Sequence, residues 1–491
     1  MLAAGCRESN EESGDAAPMC GNENDPTAPA AVADGVYDHP CAPVDGGPID
    51  EFIAWFSTAD RDALFDGAVD RLAAGLTSDQ LVAGLYIAHV TFSFHRDEHW
   101  RLAVPSAQRA GGHGTAHHEL LPLLWCLRRT HPDAIGTSVC PAPGAAADPS
   151  AAALLRLQDA LEAWDQPAAD AALVAALRGG QLPAVRDVLL EYGSRTHDWI
   201  GHTMIEATQA MRVLVSAGNR GAEPILRGLL RTMMRGSTSS SAPFDANRKR
   251  LLLLPDDWES GGADEGATLE LLAELRTADD EGAAALAAQM LREGVGPRAI
   301  WDATRPATAE LTLRFTWPQW IKFPLHAVTS NNALRLAYDS TCDDRLRRLL
   351  VLQAVAWVPL HREKATEYLP SEPPPGWEID TLEPTGDVSI PIETLLDDAD
   401  LDRRAGVAQA LGWLRDGGDP DVLRARFLEL CVGYTFEEHE LKFPIAALEE
   451  VDAASPVFRE RLLAAALAYG ASTTNGLWTG HDEALAALAR L

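Results

Sequence analysis

Apolar residues recur every three or four positions along most of the chain from Pro48 onward, and this spacing predicts amphipathic helices. The stretches Asp50 to Phe56 and Asp60 to Gly75 carry it first, with Ser57-Thr58-Ala59-Asp60 between them as capping chemistry. Thr77-Ser78-Asp79 predicts the start of the next helix, from Gln80 to about Phe94. Strand-like alternation is confined to Leu311–Thr316 and Val388–Ile390, too little to build a sheet. The pattern therefore predicts an all-α fold, a multi-helical bundle or irregular helical repeat array.

The helices group. Four stretches rich in small residues end at glycine: Asp62–Gly75, Ala168–Gly179, Glu281–Gly294 and Asp419–Gly433. Glycine there suits a left-handed residue just past a helix. Each stretch is followed by histidine: His113 to His118, His202, His326 and His439. The clearest echo is Lys322-Phe-Pro-Leu-His-Ala327 against Lys442-Phe-Pro-Ile-Ala-Ala447; Ile200–Gln209 is a looser one. One such unit cannot bury its own apolar face. Four related units, about 50–130, 150–235, 265–366 and 390–491, are expected to stack around a central pocket as one helical domain, 50–491. Pro132–Pro149, Gly236–Pro243 and the proline-rich Tyr368–Asp387 read as surface loops.

Residues 1–49 lack apolar periodicity and are rich in Gly, Pro, Asp, Glu, Asn and Ala, the composition of a disordered tether. Within them Leu2-Ala-Ala-Gly-Cys6 resembles the end of a truncated bacterial lipoprotein signal. Cys6 is thus a candidate lipid anchor, with the cell envelope as the matching location. If that likeness is chance, the expectation is cytoplasmic.

Charge narrows the partners. The 491 residues carry a formal charge of −31, which argues against nucleic acid and against an anionic membrane surface. A solvated acidic exterior is the simplest use of that charge. No run of 18 apolar residues is present to form a transmembrane segment. The seven cysteines show neither a Cys-x-x-Cys pair nor zinc-finger spacing. Cys20 and Cys41 are candidates for a bridge, while Cys126 and Cys431 lie in apolar helical runs and read as core thiols.

Flavin, nicotinamide and phosphate-binding glycine motifs are absent, as is a Gly-x-Ser-x-Gly elbow. His118-Glu-Leu-Leu-Pro122 fails as a zinc motif because proline stands where the second histidine would. What remains is histidine placement. His113 and His117, and likewise His202 and Glu206, are four apart and would share a helix face. His439 stands two turns before Ala446, the position matching His326. Neutral imidazoles with a carboxylate on facing helices are how bundles build metal sites. The candidate ligands are His117, His118, His202, His326 and His439, the candidate ion a transition metal, iron foremost. His202, His326 and Glu206 are the candidate catalytic groups, acting on a small molecule. A single buried histidine more often bonds a carbonyl; recurrence in four places carries the metal reading. His95 and His99 lie in the polar run Phe94-His-Arg-Asp-Glu-His-Trp100 and read as a solvated helix end. Asp198 is placed to orient an imidazole, and Trp199, Trp317 and Trp320 to line a pocket for a flat ligand. Thr329, Ser330, Asn331 and Asn332, in an apolar helix, must line a wet cavity or join helices.

Phe323-Pro-Leu-His-Ala-Val-Thr-Ser330, with the later helix Leu349–Arg362, resembles the motif region of the questin-oxidase-like family. Gly201-His202-Thr-Met-Ile205 resembles that family's Gly-His-x-x-Ile segment, where a second histidine normally stands at the position of Glu206. Tyr192-Gly-Ser-Arg195, Ile200-Gly-His202 and Leu325-His-Ala-Val-Thr329 are similar to the pattern of a related group of bacterial helical proteins. The resemblance spans roughly Leu154 to Lys364. It implies an all-helical oxidase acting on hydrophobic, aromatic polyketide-type molecules without flavin or nicotinamide. The alternative is a non-enzymatic helical-repeat binding or scaffold protein.

Overall fold

The computed structural model describes residues 47–92, 99–111, 116–131, 152–197, 199–235, 242–314, 322–367, 378–470 and 476–491. Within them the chain forms twenty-two α-helices and no strand. The first are α1 (Pro48–Phe56), α2 (Leu64–Ala73), α3 (Ser78–Phe92), α4 (His99–Ala110), α5 (Ala116–Thr130) and α6 (Ala153–Glu162). Next come α7 (Gln166–Arg178), α8 (Leu182–Gly193), α9 (His202–Ser216), α10 (Ala222–Met233), α11 (Ala242–Arg250), α12 (Glu265–Leu275), α13 (Asp280–Arg292) and α14 (Pro297–Leu313). The remainder are α15 (Lys322–Ser340), α16 (Asp344–Glu367), α17 (Ile392–Leu401), α18 (Arg403–Arg415), α19 (Pro420–Tyr434), α20 (His439–Ala453), α21 (Pro456–Ala466) and α22 (His481–Leu488).

Helix ends are set locally. Asp165, Asp264, Asp279 and Asp402 each accept from the backbone N–H three residues ahead, at 2.8–3.1 Å. Part of the acidic excess thus sits at helix N-termini, where a carboxylate satisfies an orphan donor and faces the positive end of the dipole. Gly75 and Gly294 are left-handed, with φ of 107° and 92°, as the glycine endings predict. In the second group the left-handed residue is Gly180, because Gly179 keeps a negative φ of −81° as the residue capping α7 and the closing bond runs from Gln181 N–H to the Ala176 carbonyl. The fourth stretch, Asp419–Gly433, does not end on a left-handed glycine: Gly433 lies inside α19, which Asp419 caps, and the left-handed Gly417 precedes the stretch, after α18. Neither strand candidate forms one: Leu311–Leu313 close α14, and Val388–Ile390 lie in a turn region, with Thr316 outside the described residues.

One continuous apolar cluster runs from Phe52 in α1 to Leu488 in α22. No helix among the described residues is long and apolar enough to cross a membrane. The helix that begins at Lys322, α15, packs against α9, α14, α16 and α20. Two of those contacts belong to a closed circuit: α4 packs on α9, α9 on α15, α15 on α20, and α20 back on α4. The candidate chemistry lies inside that circuit.

Candidate metal centre

Each helix of the circuit delivers one histidine near its start. His99, His202 and His439 are the first residues of α4, α9 and α20, and His326 is the fifth of α15. Three neighbouring ring pairs meet edge-on, with centroids 4.8 Å apart for His99–His202, 4.5 Å for His202–His326 and 5.1 Å for His326–His439, and His439–His99 closes the circuit tilted at 5.5 Å. The Nε2 atom of His202 is 3.0 Å from Nε2 of His99 and 3.1 Å from Nε2 of His326. Ligand nitrogens of His99, His202 and His439 all lie within 4.8 Å of one another.

The tautomer of His202 follows from its neighbour. Its Nδ1 is 2.8 Å from the Trp199 carbonyl, which can only accept, so Nδ1 carries a hydrogen. In the neutral ring Nε2 is then a bare lone pair, able to accept one in-line hydrogen bond, yet two nitrogens face it. Nitrogens about 3 Å apart suit neighbouring ligands of one ion held at about 2.1 Å. The cluster could hold a metal ion. Behind His439, carboxylate oxygens of Glu437 and Glu438 stand 3.4 Å and 3.3 Å from its Nδ1. Carboxylates in that place orient a ligating imidazole and raise its basicity. The Tyr469 hydroxyl donates to Glu437 at 2.8 Å and fixes that carboxylate in turn.

The approach of His202 depends on Gly201, the residue capping α9. Its φ of 83° is left-handed, and a Cβ built there would lie 2.5 Å from Cβ of Ser330 and 3.1 Å from the Trp357 ring. Only glycine lets α9 start this close to α15 and α16.

Below the ring lies a narrow cavity bordered by His202, Ile205 and Gln209 of α9, His326, Thr329 and Asn332 of α15, and His439, Lys442 and Ala446 of α20. It has room for about one water or ion. Its floor is ionic. Glu450 is buried and accepts from Arg305 at 2.9 Å, Arg335 at 2.8 Å and Asn332 at 3.0 Å. Burial alone would raise its carboxyl, but Arg335 and Arg305 outweigh that and hold it below the ordinary value. Beside it Glu449 binds Arg212 of α9 at 2.6 Å and Arg109 of α4 at 3.2 Å. Arg109, Arg212 and Glu449 each stand ten residues past the histidine of their own helix, about 15 Å along it.

A second histidine pair lies outside the ring. His361 Nε2 is 2.8 Å from the Ser330 hydroxyl, and its ring centroid is 4.2 Å from that of His197. Burial, with His197 adding, holds His361 well below the usual imidazole range. As pH falls below about 6.5 the unfolded chain takes up a proton there that the native state refuses. Stability should drop by up to ~1.4 kcal/mol per pH unit from this group. Chemical denaturation of wild type and His361→Gln across that range measures it. The variant should show a shallower loss, and equal slopes would clear His361 of the effect.

Of the residues expected from sequence, His202, His326 and His439 come together; His202 and His326 meet although 124 positions separate them. His113 and the side chains of His117 and His118 lie outside the described residues, as do Asp198, Trp317, Trp320, Cys6, Cys20 and Cys41. Glu206 does not border the cavity: it is fully buried and its Oε2 accepts from Arg101 at 3.1 Å. Four residues from His202 is one turn on, but α9 is buried around most of its circumference, and at Glu206 the arginine of α4 claims the carboxylate. Trp199 is half exposed and serves the site through its carbonyl. The residue missed is His99, read as solvated. Its signal was position: like His202 and His439, it opens a helix. No protein-family model, curated protein or solved structure matches this chain.

Proposed function

We propose that the ring of His99, His202 and His439, with His326 beside them, holds a transition-metal ion, iron foremost, and that the chain is an oxidoreductase acting on a small molecule. The observation that carries this reading is His202 Nε2, faced at 3.0 Å and 3.1 Å by two other imidazole nitrogens while its Nδ1 is committed to a carbonyl. Bound there, a redox-active ion supplies electron transfer and polarises an oxygen-bearing substrate. The chain's own part is to fix the tautomer of His202 through Trp199, to orient His439 through Glu437 and Glu438, and to exclude bulk water. His326, buried beside the ligands, is placed to exchange a proton with what binds in the cavity. The questin-oxidase-like resemblance supports an oxidase. Its aromatic substrate class gains little support from the lining, in which only Ile205 and Ala446 are apolar.

The narrowness of the cavity favours a second reading, a helical binding or scaffold protein whose ion is structural. Elemental analysis of the purified protein addresses both. The expected result is close to one iron, copper or zinc per chain, falling at least tenfold in His202→Ala with helical circular dichroism unchanged. Metal-free wild type would sink the oxidoreductase reading, whereas a redox-inert ion that persists without turnover of any oxidisable substrate would favour the scaffold. His326→Ala is expected to lower the metal content and lose turnover; a variant that only melts earlier would reduce His326 to a core residue.

A further inference from the structure

Two amide side chains border the cavity beneath the histidine ring, and the oxygens of both lack a donor. Gln209, seven residues after His202 and so two turns along the same face of α9, is 8% exposed. Its Oε1 is buried and takes no hydrogen bond among the described residues. Asn332 of α15 is 2% exposed, and its Nδ2 donates to Glu450 at 3.0 Å. An ionised carboxylate can only accept, so the amide is turned with nitrogen to Glu450. Its Oδ1 is left for the cavity side, with no donor among the described residues. Other donors at the wall are already committed. The Thr329 hydroxyl points back to the Leu325 and His326 carbonyls at 3.5 Å, and Lys442 has a partner of its own.

We infer that one water fills this cavity as an exchangeable ligand of the ring's ion, with Gln209 and Asn332 as the residues that position it. The inference deepens the reading above and rests on it for the ion. Two buried acceptors call for a donor, since a buried amide oxygen without one is costly. They repel an anion, and a second cation would be repelled by the ion in the ring. The space takes about one water, and a water has the matching groups: two hydrogens for the two amide oxygens and a lone pair for the ion. His202, His326 and His439 all border the cavity, so the lone pair faces the ligand nitrogens. An ion with a water in its coordination sphere keeps one position open to exchange, as catalytic sites do and closed structural sites do not. Gln209 and Asn332 do not touch the reacting group. They act through the water, by fixing where its oxygen stands.

Copper(II) is the probe, because imidazole suits it and its unpaired electron senses the nuclei bound to it. The full-length protein loaded with one equivalent is expected to show imidazole nitrogen couplings in electron paramagnetic resonance, lost in His202→Ala. In water enriched in oxygen-17, a further coupling from one bound oxygen is expected. Gln209→Leu should abolish the oxygen coupling while copper content and nitrogen couplings stay as in wild type. Gln209→Glu, which restores an acceptor, should bring it back. A merely structural role for Gln209 would leave the oxygen coupling unchanged in Gln209→Leu, and that result overturns the assignment. Should Gln209→Leu fail to fold, wild type decides alone: imidazole-bound copper without an oxygen coupling overturns the inference and leaves the metal reading standing. Protein that takes up no copper at His202 brings down the metal reading and the inference together.

Discussion

Glu450→Ala is expected to destabilise the protein by about 3–5 kcal/mol, the range found when one partner of a buried ion pair is removed. The carboxylate is buried between two guanidinium groups, Arg305 at 2.9 Å and Arg335 at 2.8 Å, and both arginines are themselves buried. Arg305 keeps Asp302 at 2.8 Å, and Arg335 keeps Asp339 on the open side, so neither is stripped bare. What is lost is the group that ties them together: α20 would no longer be joined to α14 and α15 through this residue. The two amides Asn331 and Asn332, which donate to the same carboxylate, would lose that acceptor as well. Equilibrium denaturation in urea measures the change, and a loss under about 1 kcal/mol would show that the pairs barely exceed their desolvation cost. The sign with pH follows from the depressed carboxyl. Glu450's contribution is present above its ordinary range and disappears as pH falls through its lowered native value, so the gap between wild type and variant should close in acid.

The parts of this architecture that the sequence discloses are those decided within one helix. The all-α class follows from apolar spacing, and the helix boundaries from aspartate caps and left-handed glycines, because each needs only a few neighbouring residues. Inward-facing histidines are legible where they stand in apolar surroundings, as His326 does, or at a matching place in a repeated pattern, as His202 does and as His439 does two turns before Ala446. His99 could not be chosen on that ground. Its run, Phe94 to Trp100, is polar, and polarity alone does not say whether a face meets solvent or a polar cavity. Glu206 failed in the other direction: its spacing from His202 was right for a shared face, but its partner, Arg101, comes from a helix a hundred positions away. The Lys-Phe-Pro echo shows a further limit. It aligns His326 with Ala446, yet α20 begins three residues ahead of its Lys442, and the histidine of that helix is His439. Both Ala446 and His439 border the cavity, so the echo marks the right face and the wrong turn.

Gly201→Ala is the other substitution expected to have a large effect, and it separates the scaffold of the site from its chemistry. A left-handed φ costs a non-glycine residue roughly 1–2 kcal/mol, and forcing a methyl into packed surroundings adds about 1–3 kcal/mol, so a loss of about 2–5 kcal/mol is expected. The clash is specific: the new methyl would meet Ser330 at 2.5 Å and Trp357 at 3.1 Å, and both belong to helices that have no room to retreat. The backbone must give instead, and the next residue is His202. A shift of a few tenths of an ångström there moves Nε2 away from the nitrogens 3.0 Å and 3.1 Å from it and loosens the Nδ1 bond to the Trp199 carbonyl. The variant should therefore lose metal in step with its loss of stability, although every candidate ligand is still present. His202→Ala should lose metal with a smaller loss of stability, since its side chain is only partly buried. Melting temperature and metal content measured together on the two variants make the comparison. A Gly201→Ala protein that melts early yet keeps its full complement of metal would mean that the ring tolerates movement of α9, and the requirement for glycine would then be one of packing alone.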